Sequence, residues 1–217
     1  MPSLHLELES RAVISPSLNA PRYHKALYPS VKYAIHGGEL ALGLVSPDLL
    51  SFHVQDAVLV GGAQRVGHGV DIFWEPNNTA VLSYMAKNKV VIEFCLTSNE
   101  FILKVQGSQH PLPLYLASGV PAIIGSDDPG ILRGSISEEY VKLVSRYSQF
   151  VDYPRVKELI RNSIRYSFIK EASVKARILA DLELRFKAFE AATKVKAAML
   201  AKLEKSVKLV TLDAPEL

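Results

Sequence analysis

Cysteine is all but missing from this sequence. Cys95 is the single one in 217 residues, which excludes an intramolecular disulfide and leaves any metal site to histidines and carboxylates. No apolar run approaches the ~20 residues that span a bilayer, so no membrane partner is expected. The opening stretch MPSLHLELES has no basic segment followed by an apolar one; no signal peptide is read there, and the cytoplasm is the expected location. A dominant charge sign is absent as well. Lys and Arg total 25 against 22 Asp and Glu, a formal net charge of +3, too small to predict nucleic-acid binding. The lysines that cluster in KAFEAATKVKAAMLAKLEKSVK are mixed with Ala, Leu and Glu, the pattern of a solvated helix face. Internal repeats beyond a strand–helix unit and low-complexity segments are also lacking.

What is present is an ordinary globular composition, 48% hydrophobic and 22% charged, long enough for one large domain or two small ones. From about Tyr33 short apolar runs alternate with amphipathic stretches. VKYAIHGGE reads as a strand, and SPDLLSFHVQDAVLVGG as a helix with Ser46 as N-cap, Pro47 in its first turn and Gly61-Gly62 as its stop. QRVGHGVDI is a second strand and NNTAVLSYMAKNK a second helix. VVIEFCLTSN follows as a third strand, HPLPLYLASG as a short helix, and VPAIIGSDDPG as a fourth strand. Ser135 to Tyr147 opens a further helix, with Ser135 and Glu138 spaced as a capping box.

This alternation predicts a parallel sheet covered by helices. Beyond Asp152 the pattern is purely helical: DYPRVKELIRNSIRYSFI, then a segment from Glu171 to about Val210. In the latter, Leu179, Leu182, Phe186 and Phe189 recur at helical spacing as a packing stripe. The expected domains are a poorly assigned segment over 1–30, four βα units over 31–150, and C-terminal helices over 151–217.

Each strand ends in polar chemistry. The first reaches His36-Gly37-Gly38-Glu39, the second His68 between Gly67 and Gly69, the third Thr97-Ser98-Asn99, and the fourth Asp127-Asp128. Side-by-side parallel strands bring these ends to one edge, the active-site mouth of a βα barrel. The flanking glycines predict close backbone approach by something bulky. Imidazole and carboxylate without thiolate suit zinc and some other divalent metals. A cation also answers the repulsion between adjacent aspartates. Neighbours on an extended chain point in opposite directions, so one carboxylate can face a metal and the other a substrate.

With these residues assembled, the chain resembles the adenosine deaminase family of zinc-dependent purine-nucleoside deaminases. The matching pieces are HGGE at 36–39 (the family usually has Ala second), RVGHGVDI at 65–72, EFCLTSN at 93–99, HPLPLYLASGVP at 110–121 and SDDPGILRGSISEEY at 126–140. The resemblance runs from about Val31 to Phe189. It implies an α/β fold, the C-terminal half of a TIM-like (β/α)8 barrel with additional C-terminal helices. It further implies hydrolysis of adenosine to inosine and ammonia, with zinc as cofactor and His36 and Asp127 as ligands to it. Glu39 would protonate purine N1, His68 would orient the attacking hydroxide, and Asp128 would hydrogen-bond N7.

The family's barrel has eight strands, and the resemblance supplies the last four. The family's first-strand H-x-H, source of two more zinc ligands, occurs nowhere in this sequence. The nearest string is His5-Leu6-Glu7-Leu8-Glu9-Ser10, a chance likeness or a degenerate first strand with His5 a residual ligand. Three readings follow. One is a partial deaminase acting on adenosine or a related purine nucleoside. The second is a non-catalytic half-barrel that assembles with itself or with a complementary N-terminal half. The third is a deaminase of another aminopurine.

Overall fold

The four apolar runs do form strands, and they pair in chain order. In this computed structural model, which describes Tyr23 and residues 26–192, β1 is Ala34–Gly37, β2 Arg65–His68, β3 Val91–Phe94 and β4 Ala122–Ile124. The sheet order is β1-β2-β3-β4, and every pairing is parallel. Between β1 and β2 lies α1, His53–Gln55, which widens into a π turn over Asp56–Val60. Then come α2 (Asn78–Asn88), α3 (Leu96–Leu103), α4 (Leu112–Ala117), α5 (Pro129–Leu132), α6 (Ile136–Arg146), α7 (Tyr153–Arg165) and α8 (Ala172–Ala192). Parallel strands joined through helices make this half of a TIM-type barrel. Among the described residues no helix is long and apolar enough to cross a membrane.

The chain forms two compact units that divide between Phe168 and Ile169. The sheet and α1 to α7 lie in the first. There α7 packs on β4, with Asn162 Nδ2 donating to the Ala122 carbonyl at 3.2 Å. The second unit contains α8, where Leu179, Leu182 and Phe186 are half-buried and Phe189 is exposed, so the stripe does not form a buried face. The expected helix beyond residue 192 and the segment before residue 23 lie outside the described residues.

Alternation along the strands separates two faces. Val66, Ile92, Phe94, Ala122 and Ile124 point into the apolar core, where they meet Val54, Leu82, Met85, Leu112 and Tyr115. Burying side chains of this size stabilises by about 1.5–3 kcal/mol each. The opposite face carries His36 and an ion pair between Arg65 and Glu93. The Arg65 guanidinium also lies 5.4 Å from the centre of the Phe168 ring.

Several local expectations change. The 46–62 stretch is not one helix: Pro47–Leu50 is a 3-10 turn, and a break at Ser51-Phe52 precedes α1. Ser46 is extended and makes no capping bond with its side chain. The third strand stops at Phe94, so Thr97-Ser98-Asn99 lie in the opening of α3. Buried apolar runs look alike in strand and helix when they are short, which is why the sequence pattern ran the strand through Asn99. Asp127-Asp128 likewise fall past β4, and Val70–Trp74 is a 3-10 turn rather than strand. The capping box is present: Ser135 Oγ accepts from the Glu138 N–H at 3.3 Å and donates to Glu138 Oε2 at 3.1 Å.

Gly69 sits at φ +60°, and a Cβ there would lie 2.4 Å from the Tyr115 hydroxyl and 2.6 Å from Ile92 Cδ1. Tyr115 is fully buried and donates to the Gly69 carbonyl at 3.0 Å, so it cannot swing away. Gly69→Ala is expected to destabilise the chain by roughly 2–4 kcal/mol through overpacking and backbone strain. Urea denaturation checks this; an unchanged midpoint would refute the packing described.

Candidate active site

The carboxyl ends of β1 and β2 are held in register by their ladder, with His36 opposite Gly67 and Gly37 opposite His68. Beyond the strands the two turns stay tied. Gly69 N–H donates to the Gly37 carbonyl at 2.9 Å, and the N–H groups of Val70 and Asp71 reach the Gly38 carbonyl at 2.8 and 3.1 Å. Glu39 therefore leaves a fixed turn, and its Oε2 stands 3.3 Å from His68 Nε2 and 3.8 Å from His36 Nδ1. The two imidazoles meet edge to face, ring centres 5.0 Å apart.

The glycines beside these residues do allow close approach, but by the protein's own side chains. A Cβ on Gly67 would sit 3.0 Å from His36 Cδ2, and one on Gly38 2.1 Å from Asp71 Oδ1. The bulky groups that approach these two glycines are the His36 ring and the Asp71 carboxylate. Asp71 is buried and its Oδ2 lies 2.8 Å from His53 Nδ1. Glu75, also buried, takes the Val54 N–H at 2.6 Å, and burial pushes its carboxyl up to about 8. These acids brace the turn from beneath; Asp71 lies in the RVGHGVDI run and Glu75 just beyond it, and the strand-end reading gave neither a role.

His68 is buried, with 1% of its side chain exposed, whereas His36 is 73% exposed and Glu39 27%. Burial raises the Glu39 carboxyl above its ordinary value, and the neighbouring charge of Asp127 adds to this. That is the direction a proton-donating glutamate needs. Asp127 is half-buried and Asp128 exposed. Asp127 is not extended: it holds φ +52°, so the alternation argument for the pair fails. What separates the carboxylates is a turn, with Asp128 at the N-cap position of α5 but making no capping bond with its side chain.

Five non-glycine residues among those described have positive φ. Lys89, Lys104 and Arg133 are helix C-caps, where a left-handed residue is routine. The remaining two are His68 at φ +70° and Asp127. Both are residues that the strand-end pattern had singled out, and strain of this kind concentrates at functional sites.

Two donor triplets result, each with its atoms within 4.8 Å of one another: His36, Glu39 and His68, and His68, Cys95 and Asp127. They share His68. Among the described residues no such triplet joins the two expected ligands, His36 and Asp127, to a third donor. Cys95 is a donor the sequence reading left aside; burial pushes its thiol up.

Comparison with known proteins gives the family of the chain. The adenosine deaminase family profile matches residues 5–184. The chain belongs to the adenosine deaminase family. The match begins further toward the N-terminus than Val31 and takes in the string His5 to Ser10. An adenosine deaminase of Shewanella loihica is 35% identical over 116 residues, 53% of this chain and 34% of that protein. An adenine deaminase of Arthrobacter aurescens superposes with TM-score 0.60 at 25% identity, covering 76% of this chain and 46% of that one. An amidohydrolase of Burkholderia ambifaria, solved with bound Zn, superposes with TM-score 0.63 at 20% identity, over 83% of this chain and 45% of that one. The chain thus matches less than half the length of each of these proteins.

Behind His68 lie two further buried residues that the strand-end reading gave no role, Asn99 and His110. The motifs containing them were visible, CLTSN and HPLPLYLASG, but nothing local ties either to His68. Burial holds the rings of His68 and His110 down to about 4 each. A folded value below the unfolded one makes the contribution of each ring to stability complete above about pH 6.5. It is then lost as the pH falls toward 4, because only the unfolded chain takes up the proton. Ring titration by NMR should find His110 neutral at pH 5.5; a midpoint near 6.5 would contradict its burial.

Proposed function

We propose that this chain carries the proton-transferring and substrate-facing half of a hydrolytic aminopurine deaminase, with adenosine as the first substrate to test. The observation that carries the reading is His68, held at positive φ at the carboxyl edge of the sheet, which meets Glu39 and His36 on one side and the equally strained Asp127 on the other.

The donors fit a borderline divalent cation in kind. His36 offers an exposed imidazole, Asp127 a carboxylate, and His68 between the two triplets is kept neutral by burial. They do not complete its coordination, since a catalytic zinc takes three protein ligands and keeps one position open. In this reading His36 and Asp127 would hold the zinc together with donors from outside the described residues. Bound zinc supplies a nucleophile at neutral pH by lowering the pKa of water to about 7.

The remaining steps belong to the chain's own groups. Glu39, with its carboxyl raised, delivers a proton to purine N1, which makes C6 electrophilic. His68 Nε2, on the same side as Glu39, orients the attacking oxygen toward C6. N7 is an acceptor, so Asp128 must bring the proton of that hydrogen bond. The hydroxyl now on C6 gives up its proton to the C6 amino group, the C–N bond breaks, and ammonia leaves as C6 becomes a carbonyl.

A second reading is favoured by a separate observation: the described sheet ends at four strands, leaving β1 and β4 each with one unpaired side. A half-barrel of this kind would bind a purine or a metal without turnover, alone or docked on a complementary half.

One set of measurements separates the two. Zinc content and adenosine-to-inosine conversion are followed for the purified chain alone and mixed with the N-terminal half of a family adenosine deaminase. The deaminase reading expects conversion by the mixture, and Glu39→Gln lowers it on the order of 10²–10⁴-fold while the fold persists. Near-normal turnover in that variant would sink the assigned mechanism. A mixture that binds purine without converting adenosine, adenine or another aminopurine supports the non-catalytic half-barrel. The chain alone is expected to hold no tight equimolar zinc.

A further inference from the structure

We propose that Asn99 and His110 are positioning residues that fix the tautomer of His68, placing its single proton on Nε2, toward Glu39. The consequence for catalysis rests on the deaminase reading above; the tautomer itself is a property of this chain.

The polarity starts at a donor with only one possible role. The backbone N–H of Leu112, at the start of α4, donates to His110 Nδ1 at 3.2 Å. That nitrogen is therefore an acceptor, and a neutral His110 carries its proton on Nε2. His110 Nε2 lies 3.0 Å from Asn99 Oδ1 and donates to it. The Asn99 amide is thereby oriented, and its Nδ2 donates to His68 Nδ1 at 3.1 Å. An imidazole that accepts at Nδ1 keeps its proton at Nε2, the atom that stands 3.3 Å from Glu39 Oε2.

Each link excludes the reverse assignment. Turning the Asn99 amide over would set its NH2 against the His110 Nε2–H and its carbonyl against His68 Nδ1, two buried mismatches. Moving the His110 proton to Nδ1 would oppose it to the Leu112 N–H. His68, Asn99 and His110 are 1%, 0% and 1% exposed, so water cannot stand in for a lost partner, and an unmade bond there leaves a buried polar group unpaired. The relay thus runs from the opening of α4, through α3, to the last residue of β2. At its outer end His68 offers the site an N–H and not a lone pair. That suits a ring which orients an oxygen nucleophile or holds the Glu39 carboxylate, and it assigns the proton-carrying step to Glu39.

The test uses ¹⁵N-labelled full chain, freed of metal with chelator, at pH 8. Long-range ¹H–¹⁵N correlation of the histidine rings reads the tautomers directly. His68 and His110 are both expected with a protonated Nε2 and an accepting Nδ1, and a through-hydrogen-bond coupling is expected between Asn99 Nδ2 and His68 Nδ1. In Asn99→Asp a carboxylate replaces the amide and accepts from both sides, so the His68 proton should move to Nδ1 while His110 is unchanged. A wild-type His68 protonated on Nδ1 overturns the proposal, as does an Asn99→Asp chain that keeps it on Nε2. Should that variant not fold, the wild-type spectrum decides alone. Loss of the deaminase reading would leave these ring signals untouched, and wrong ring signals would leave the Glu39→Gln outcome untouched.

Discussion

The parallel ladder between β1 and β2 is the contact from which the site is built. Its register sets His36 over Gly67 and brings the last residue of β2 level with Gly37. From there three backbone N–H groups of the 69–71 turn bind the Gly37 and Gly38 carbonyls, so the two strand exits behave as one rigid edge. That edge sets Glu39 Oε2 and His68 Nε2 3.3 Å apart. A one-residue slip would turn His36 into the apolar core and empty the site.

Around that edge the protein uses short side chains and buried polar groups for support. Glycine at 67 and 38 makes room for the His36 ring and the Asp71 carboxylate. Beneath them, Glu75 receives the first N–H groups of α1, and behind them Asn99 and His110 hold His68 from the rear. The residues that face the purine in the proposed reaction are therefore braced by others that never touch it, which is how active sites retain strained backbone such as that of His68 and Asp127.

Much of the fold could be read from residue order. Apolar runs punctuated by glycine and capped helices gave four strands and their parallel pairing, and the strand-end pattern named His36, Glu39, His68 and Asp127, which the structure gathers into two donor triplets that share His68. Boundaries were less accessible. The run through VVIEFCLTSN holds no glycine or proline to mark a boundary, and the backbone turn at Cys95, φ −117° and ψ 79°, divides strand from helix there. The 46–62 stretch misled in the opposite way, since capping and stop signals at its ends concealed the break at Ser51-Phe52. Such breaks are decided by packing against the sheet, which periodicity does not encode.

By itself the sequence determined which chemical groups are present, how the strands and helices alternate, and to which family the chain belongs, because these depend on residue type and short-range spacing. Only the tertiary structure decided what each group faces. It filled the glycine clefts with His36 and Asp71, put Asp127 in a left-handed turn instead of an extended strand, and made Asn99 a neighbour of His68 across 31 residues of chain. Burial and hydrogen-bond polarity are set by groups distant in sequence. The protonation of His68 is accordingly traced to the backbone N–H of Leu112, a connection that no local pattern carries.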